Sequence, residues 1–272
     1  MPKKSGSSTG SEITLPLRPF KVLLIGDSCI DKYVYGTCER MSPEAPVPVL
    51  KWENIKQHKG MCWNVRNNLM SFGVEVYTMT NEEQPIKTRY VDIKSNQQIM
   101  RVDENDTVRS WQDHHEYQLP DGDYHALVIS DYDKGFLTEE FLLEIIDWFD
   151  GPIFVDTKKP ICLPDKVFTK INEHEQSVIG KKTDNMIITM GSRGAEYQGR
   201  HFIGQEVNTF DVCGAGDTFL AALVYFYLMY GTIVDAIPFA NMSASVAVQH
   251  QGTYVLTEND IKAIHGFSKR SN

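Results

Sequence analysis

The chain has 272 residues, of which 42% are hydrophobic, and a formal net charge of −9 at pH 7. This length suits one large α/β domain with a small appendage, and the acidic balance argues against a general binder of nucleic acids or membrane surfaces. The five cysteines are odd in number and lack C-x-x-C spacing, which is typical of reduced thiols in a cytoplasmic protein. No apolar run reaches the roughly 18 residues of a membrane span.

Strands and helices are predicted to alternate along residues 20–272, which follow a flexible tail at residues 1–19. Apolar runs predict strands at Lys21–Gly26, Val74–Met79, Ala126–Ser130, Pro152–Val155, Val167–Ile171 and Met186–Thr189. Helical spacing predicts helices at Met61–Phe72, Thr138–Phe149, Gly216–Tyr230 and Val234–His250. This order predicts an α/β fold with a doubly wound, mostly parallel sheet and helices on both faces.

A small β flap is predicted to interrupt this alternation. Val47–Trp52 and Ile86–Val102 show β-branched alternation without intervening helices, and the second stretch can form a hairpin with its turn at Lys94–Gln97. The prediction is a discontinuous β lid at about 34–56 and 86–103, over the carboxyl ends of the strands, where open α/β sheets bind ligands. An ordinary surface β-extension is the alternative.

The most informative motif is Asp211-Val-Cys-Gly-Ala-Gly-Asp217, directly before an apolar helix. Small residues at a helix start let the N–H groups of Gly214, Ala215 and Gly216 approach an anion, and the helix dipole favours negative charge there. Asp217 in the first turn is placed to take a proton from an attacking hydroxyl, so the motif predicts phosphoryl transfer from a nucleotide to an alcohol. The alternative is a glycine-rich loop that only caps a helix. The sequence contains no Walker P-loop and no Rossmann fingerprint.

Further segments stand out at Gly26–Gly36 with Arg40–Val49, Lys87–Val91 with Ser95–Asp103, Ser130–Gly135, and Phe239–Asn241 beyond the glycine motif. Through them the chain, from about Val22 to Thr257, resembles the ribokinase-like carbohydrate kinases of the pfkB family, and in particular the bacterial heptose 7-phosphate kinases. The resemblance implies a ribokinase-like fold, ATP and Mg²⁺ as cofactors, Asp217 as the general base, and backbone donors from Gly214, Ala215 and Gly216 in an anion hole.

The same resemblance implies three groups of binding residues. The sugar or sugar phosphate would contact Asp31, Asn64, Arg89 and Arg101. ATP would contact Lys158, Gly191, Ser192, Gly194 and Asn241. Asn172 and Glu175 would support Mg²⁺, which prefers oxygen ligands. For the two arginines and the lysine, an ordinary surface position is the alternative, and the Asn172–Glu175 stretch alone is also typical of an acidic helix N-terminus.

Departures from the family pattern leave two functional hypotheses open. Gly60-Met-Cys-Trp-Asn64 replaces Gly-Gly-Ala-Ala-Asn, Cys213 replaces a threonine, and the links at residues 79–87 and 180–186 are short. Larger side chains after Gly60 would narrow or reshape the sugar pocket. The first hypothesis is an ATP-dependent kinase for a sugar or sugar phosphate, with phosphorylation of D-glycero-D-manno-heptose 7-phosphate at O1 as the best match. The second is a degenerate, non-catalytic homologue that binds a sugar phosphate or a nucleotide as a sensor or scaffold.

By resemblance to related kinases, the lid would also pair with its copy in a homodimer, since an unpaired flap leaves sheet edges exposed.

Overall fold

Two β-sheets and six helices form the computed structural model over the part of the chain that it describes, residues 19–113 and 118–267. The predicted tail at residues 1–19 lies outside the described residues except for its last residue. The strands are β1 (Lys21–Gly26), β2 (Ser28–Met41), β3 (Pro48–Met61), β4 (Glu75–Met79), β5 (Ile86–Asp92), β6 (Gln97–Glu104), β7 (Ala126–Asp131), β8 (Ile153–Thr157), β9 (Val167–Asn172), β10 (Met186–Thr189), β11 (Gly194–Tyr197) and β12 (Arg200–Ile203). The helices are α1 (Cys62–Ser71), α2 (Glu139–Trp148), α3 (Glu173–Ile179), α4 (Ala215–Tyr230), α5 (Ile233–Ala247) and α6 (Glu258–Phe267).

The large sheet has eight strands in the order β12-β11-β10-β9-β8-β7-β1-β4. The six strands from β10 to β4 are parallel, and β11 and β12 are antiparallel at one edge. Alternate residues of β1 face opposite layers. Val22 and Leu24 pack with α1, α4 and α5, whereas Leu23 and Ile25 pack with α2. Burial on both faces explains the continuous apolar run of β1, and the arrangement confirms the predicted doubly wound fold.

A second sheet of four strands has the order β3-β2-β5-β6 and is called the small sheet below. Strands β5 and β6 form the predicted hairpin, with residues 93–96 between them. Strand β2 runs parallel to β5 and antiparallel to β3. The predicted lid at about 34–56 covers only the second half of β2, and the first half of this strand was not predicted. The strand begins after one intervening residue, Asp27, and its pairing with distant segments leaves only a weak local pattern.

Helix α3 begins at the Asn172–Glu175 stretch, which the sequence indicated as typical of an acidic helix N-terminus. Two shorter features were not predicted: α6 and the β11–β12 hairpin, whose strands have four residues each. The turn of this hairpin, Gln198–Gly199, has positive φ at both residues, as a two-residue hairpin connection requires. Strands of this length contain too few residues for a clear alternation of apolar and polar positions.

Polar residues gather where the parallel strands end. Strand β1 is followed by Asp27, β7 ends at Asp131, β9 ends at Asn172 and β10 ends at Thr189. In a parallel sheet these ends lie along one edge, which is where open α/β folds bind ligands. The fold therefore places this edge, together with the N-terminus of α4, as the candidate site.

Two findings bear on the environment of the chain. Among the described helices, none has both the length and the apolar character needed to cross a bilayer. All five cysteines lie in the described part of the chain and are free thiols.

Close backbone contact at Gly26 generates a prediction about stability. A Cβ added there would lie 2.1 Å from the carbonyl oxygen of Ser130, which belongs to the neighbouring strand β7. Because this oxygen cannot move without disturbing the sheet, we expect Gly26→Ala to lower the free energy of unfolding by about 3 kcal/mol in urea denaturation. Gly266→Ala is the control, since an added Cβ there meets nothing within 4 Å and alanine favours a helix. Equal stability of Gly26→Ala and the parent protein would contradict the close contact.

Candidate active site

The carboxylate of Asp217 lies at the N-terminus of α4 and is 3% exposed. The Tyr132 hydroxyl donates to Asp217 Oδ1 at 2.6 Å, and the Asn64 amide donates to Asp217 Oδ2 at 3.1 Å. Burial raises the pKa of Asp217 to about 6, although these two hydrogen bonds favour its ionised form. A carboxyl group with this pKa is ionised at neutral pH and can still accept a proton, as a general base must.

The turn before α4 has the geometry of an anion-binding site. Gly214 is the N-cap residue with φ +75°, and a Cβ there would lie 3.1 Å from a side-chain atom of Thr253, so this position favours glycine. Asp211 fixes the turn, because its carboxylate accepts hydrogen bonds from the backbone N–H groups of Cys213 and Gly252. The predicted donor Ala215 already donates to the Val212 carbonyl at 3.2 Å, so it must exchange this bond to contact an anion.

Two lysines share one buried carboxylate beside this turn. Lys170 donates to Asp156 Oδ2 at 2.6 Å, and Lys158 donates to Asp156 Oδ1 at 3.1 Å. Burial alone would raise the pKa of Asp156, but attraction to Lys170 and Lys158 holds it below its ordinary value. The Lys170 ammonium lies 2.8 Å from the point where a Cβ of Gly216 would stand. One carboxylate thus holds two cations next to the N-terminus of α4.

Lys170 and Tyr132 are two site residues that were not predicted from the sequence. Lys170 belongs to Val167-Phe-Thr-Lys-Ile171, where it is the one charged residue of an apolar strand. A charge inside a buried strand requires a partner, so this pattern is the signal that could have identified it. Tyr132 lies in a loop, and no local pattern indicates its contact with a residue 85 positions away.

A polar cavity connects these groups. It has a volume of about 370 Å³ and is lined by Tyr132, Asp156, Lys158, Lys170, Asn172, Thr189, Gly191, Val212, Gly214, Gly216 and Asp217. A second, mostly apolar cavity of about 200 Å³ shares Thr189, Gly191, Val212 and Gly216 with the first and extends to Asn241. Of the residues predicted to contact a nucleotide, Gly191, Ser192, Gly194 and Asn241 line the apolar cavity and Lys158 lines the polar one.

Asn172 and Glu175, the predicted metal-supporting pair, form a capping box at the start of α3. Asn172 Oδ1 accepts from the Glu175 N–H at 2.9 Å, Glu175 Oε2 accepts from the Asn172 N–H at 2.8 Å, and Glu175 Oε1 accepts from Lys158 at 2.6 Å. Within the described ranges, no group of three or more His, Cys, Asp or Glu residues could hold a metal ion. This donor set suits water-mediated contact with a phosphate-bound Mg²⁺, which usually keeps several waters.

The predicted sugar-binding residues lie on the small sheet and on α1. Asp31, which is 4% exposed, forms an ion pair with Arg89, whose guanidinium group lies 5.2 Å from the centre of the Tyr33 ring. Arg101 stands opposite Arg89 in the sheet register, is half exposed and forms an ion pair with Asp103 at 2.9 Å. The structure therefore brings Asp31 and Arg89 into direct contact and leaves Arg101 at the rim.

The altered Gly60–Asn64 segment keeps the contacts on which this site depends. A Cβ on Gly60 would lie 1.9 Å from Asp31 Oδ2, so glycine is needed there. Trp63 lines a separate cavity with residues 80–84 and lies under Lys59, whose ammonium is 3.9 Å from the ring centre. Trp63 is thus not among the residues that line the polar cavity beside Asp217. Met61 has φ 57°, a left-handed conformation that is strained for a side chain other than glycine.

Comparisons with known proteins find relatives of this chain. Residues 166–260 match the model of the pfkB family carbohydrate kinases. The chain is 30% identical over 298 residues to the bifunctional protein HldE of a Nitratiruptor species, covering 89% of this chain and 64% of that protein, so the chain spans somewhat less than two thirds of this relative.

Solved structures with the same fold include ribokinase from Thermotoga maritima, with a TM-score of 0.64 and 14% identity over 91% of this chain and 99% of that one. Ribokinase from Cryptococcus neoformans var. grubii serotype A in complex with ADP gives a TM-score of 0.61 and 14% identity over 90% and 99% of the two chains. These likenesses confirm the predicted ribokinase-like fold.

The raised pKa of Asp217 predicts a pH-dependent cost in stability. Because the folded state holds this proton more tightly than the unfolded state, whose pKa is near 3.8, stability falls as the pH rises from about 4 to about 6. Above about pH 6, the difference of roughly two units between the folded-state and unfolded-state pKa of Asp217 lowers the free energy of unfolding by about 3 kcal/mol. We expect Asp217→Asn to be more stable than the parent by on the order of 1–3 kcal/mol at pH 7.5 and nearly equal at pH 4, as measured by urea denaturation.

The asparagine can keep both hydrogen bonds, since the Asn64 amide can turn to accept from it. Asp150→Asn, at an exposed position, is the control for the loss of one negative charge. A stability difference between Asp217→Asn and the parent that is the same at both pH values would contradict this origin.

Proposed function

We propose that this chain is a carbohydrate kinase of the pfkB family, whose model matches residues 166–260. It would transfer the terminal phosphoryl group of ATP to a hydroxyl group of a sugar or sugar phosphate. One observation carries the proposal. Asp217 is a buried, ionisable carboxylate in the first turn of α4, and it opens on a cavity that also contains Lys158, Lys170 and the glycines of the preceding turn. A base, two lysines and the N–H groups of a helix N-terminus in one cavity suit phosphoryl transfer.

In the proposed mechanism, Asp217 accepts the proton of the acceptor hydroxyl while the hydroxyl oxygen forms a bond to the γ-phosphorus and the bond to the β-phosphate oxygen breaks. Lys170, Lys158 and the backbone N–H groups at the start of α4 would stabilise the charge on the transferring group. Bound Mg²⁺ would add a further positive charge on the phosphate oxygens, and Asn172 and Glu175 would contact it through water.

The nucleotide base is proposed to occupy the apolar cavity next to this polar one. Gly191, Ser192 and Gly194 would approach the nucleotide with backbone groups, and Asn241 would lie near the base. The Asn241 amide donates to the Phe202 carbonyl at 2.9 Å, which fixes its orientation in the cavity wall. The shared wall of the two cavities supports a continuous path from the base to the transferred phosphate.

The substrate is proposed to be a phosphorylated sugar, with D-glycero-D-manno-heptose 7-phosphate, phosphorylated at O1, as the specific candidate. One face of the small sheet has three cationic side chains on β5 and β6, those of Lys87, Arg89 and Arg101. Asp31 on β2 lies on the same face. This face contains more positive than negative side chains near Asn64, so it suits a ligand with both hydroxyl groups and a phosphate. Asp31 Oδ1 pairs with Arg89, and Asp31 Oδ2 remains as an acceptor for a sugar hydroxyl.

Turnover of this substrate tests the proposal. We expect ADP release from Mg·ATP that depends on heptose 7-phosphate, and a decrease of about 1,000-fold in Asp217→Asn because the general base is lost. ATP binding, measured by calorimetry, is expected to stay within about threefold of the parent, since Asp217 takes the acceptor proton rather than holding the nucleotide. Asp150→Asn should keep full activity.

Other outcomes distinguish the remaining hypotheses. ADP release with another phosphosugar or a nucleoside would keep the kinase and change its substrate. ATP binding without turnover across a panel of such sugars would favour the degenerate homologue that acts as a sensor or scaffold. Retained turnover in Asp217→Asn would remove the general-base role.

We also propose a homodimer that forms through the small sheet. Ile55, Val34, Tyr90 and Met100 stand in one row across its four strands, on the face opposite Arg89. Met100 is 51% exposed, and the neighbouring Trp52 is 61% exposed. An apolar sheet face of this kind favours burial against a second copy.

The five free cysteines and the absence of a membrane-spanning helix among the described residues support a proposed cytoplasmic location.

The oligomeric state tests the dimer. At micromolar concentration we expect the parent to sediment as a dimer and Trp52→Glu to raise the dissociation constant by at least about 100-fold, because a buried aromatic anchor would become a charge. Trp148→Glu, at an exposed tryptophan on α2, is the matched control and should stay dimeric. A parent protein that sediments only as a monomer would contradict the proposal.

A further inference from the structure

The loop between β7 and α2 contains Tyr132, whose hydroxyl donates to the proposed general base. Its oxygen lies 2.6 Å from Asp217 Oδ1, and the Asn64 amide nitrogen lies 3.1 Å from Asp217 Oδ2. Each oxygen of the Asp217 carboxylate therefore accepts one hydrogen bond. One donor lies in the loop between β7 and α2, and the other lies on α1. This arrangement fixes the rotation of the carboxylate about its own bond.

Buried carboxylates hold the backbone of this loop. Asp27, which is fully buried, accepts from the Tyr132 N–H at 2.7 Å and from the Lys134 N–H at 3.4 Å. The side chain of Asp131 accepts from Thr157 at 2.6 Å and from Lys159 at 2.9 Å. A buried carboxylate is costly unless its oxygens accept hydrogen bonds or form ion pairs. Because Asp27 and Asp131 need these contacts, they hold the loop in one conformation before any ligand binds.

The Tyr132 ring stands between the two sides of the site. The Lys87 ammonium, on the small sheet, lies 5.6 Å from the ring centre, and the Lys158 ammonium, in the polar cavity, lies 5.7 Å from it. The Tyr132 ring thus lies between the small sheet, where the sugar would bind, and the polar cavity, where the phosphoryl group would be transferred.

We propose that Tyr132 is a positioning residue for the general base: its hydroxyl orients the Asp217 carboxylate and stabilises the ionised form that accepts the proton of the sugar hydroxyl. This inference rests on the proposed function, because it assigns a role at the same site. It also explains the Ser130–Gly135 segment, whose residues otherwise have no part in the mechanism.

The charged and titratable groups around Asp217 determine the sign of the expected effect. They come from several elements: Asp156 on β8, Lys170 on β9, Cys29 on β2 and Cys62 on α1. Burial and the Asp156 charge favour the protonated form of Asp217, whereas Tyr132, Asn64 and Lys170 favour the ionised form. Removing the Tyr132 hydroxyl leaves the other groups in place and therefore raises the pKa of Asp217.

The experiment compares the pKa of the Asp217 carboxyl in the parent and in Tyr132→Phe. It uses ¹³C NMR of aspartate-labelled protein, and the Asp217 signal is the one missing in Asp217→Asn. We expect Tyr132→Phe to raise this pKa by about one unit. Site-specific 3-fluorotyrosine at position 132 is a stronger donor of nearly the same shape, so it should shift the pKa in the opposite direction. Tyr197→Phe is the matched control, because the Tyr197 hydroxyl donates to Asn185 at 2.9 Å away from the site.

Turnover provides a second readout. In Tyr132→Phe we expect kcat at pH 7 to fall by at least about tenfold, and the acidic limb of its pH profile to shift to higher pH, with KM for ATP within about twofold of the parent. An unchanged Asp217 pKa in Tyr132→Phe, or a loss of kcat that is equal at every pH, would overturn the proposal and leave Tyr132 with a structural role only. The NMR measurement requires no turnover, so it gives a result even if the protein phosphorylates none of the sugars tested.

Discussion

One buried carboxylate at the start of α4 is the constraint on which the arrangement of this molecule depends. Burying an ionised group is costly unless donors and dipoles replace the lost water. At Asp217 these are the dipole of α4, the amide of Asn64 and the hydroxyl of Tyr132. Both partners are distant in sequence, 153 and 85 residues away. They meet because α1 packs against α4 and because β7 ends at the same edge of the sheet.

A second buried carboxylate, Asp156, explains how an acidic protein holds two lysines in one pocket. The chain has a net charge of −9, yet Asp156 holds Lys158 and Lys170 beside the glycine turn. Lys158 also donates to Glu175 at 2.6 Å, so carboxylates balance the charge of both ammonium groups. A phosphate that enters the cavity can then accept hydrogen bonds from the two lysines. The field at the site is therefore set by local pairs and not by the net charge of the protein.

The sequence predicted the features that depend on local pattern and missed those that depend on distant partners. The parallel strands were predicted because burial on both faces requires continuous apolar runs, as at Val22–Ile25. The start of α4 was predicted because small residues precede a long apolar helix. The first half of β2 was missed because its register is set by β3 and β5, and Tyr132 was missed because its role depends on a contact that no nearby residue indicates. Lys170 carried a readable signal, a charge within a buried strand, that the motif-based interpretation did not use.

Two departures from the family pattern lie in the same part of the structure. Trp63 and residues 80–84 of the short link line one cavity. Meanwhile the sugar side stays connected to the phosphoryl side: His58 on β3 bonds to Thr253 at 2.8 Å, and the neighbouring Gly252 N–H donates to Asp211 at 2.9 Å. Thr253 also packs on Gly214. The loop that contains Gly252 and Thr253 therefore contacts both β3 and the glycine turn, so the small sheet and the start of α4 are linked by direct contacts.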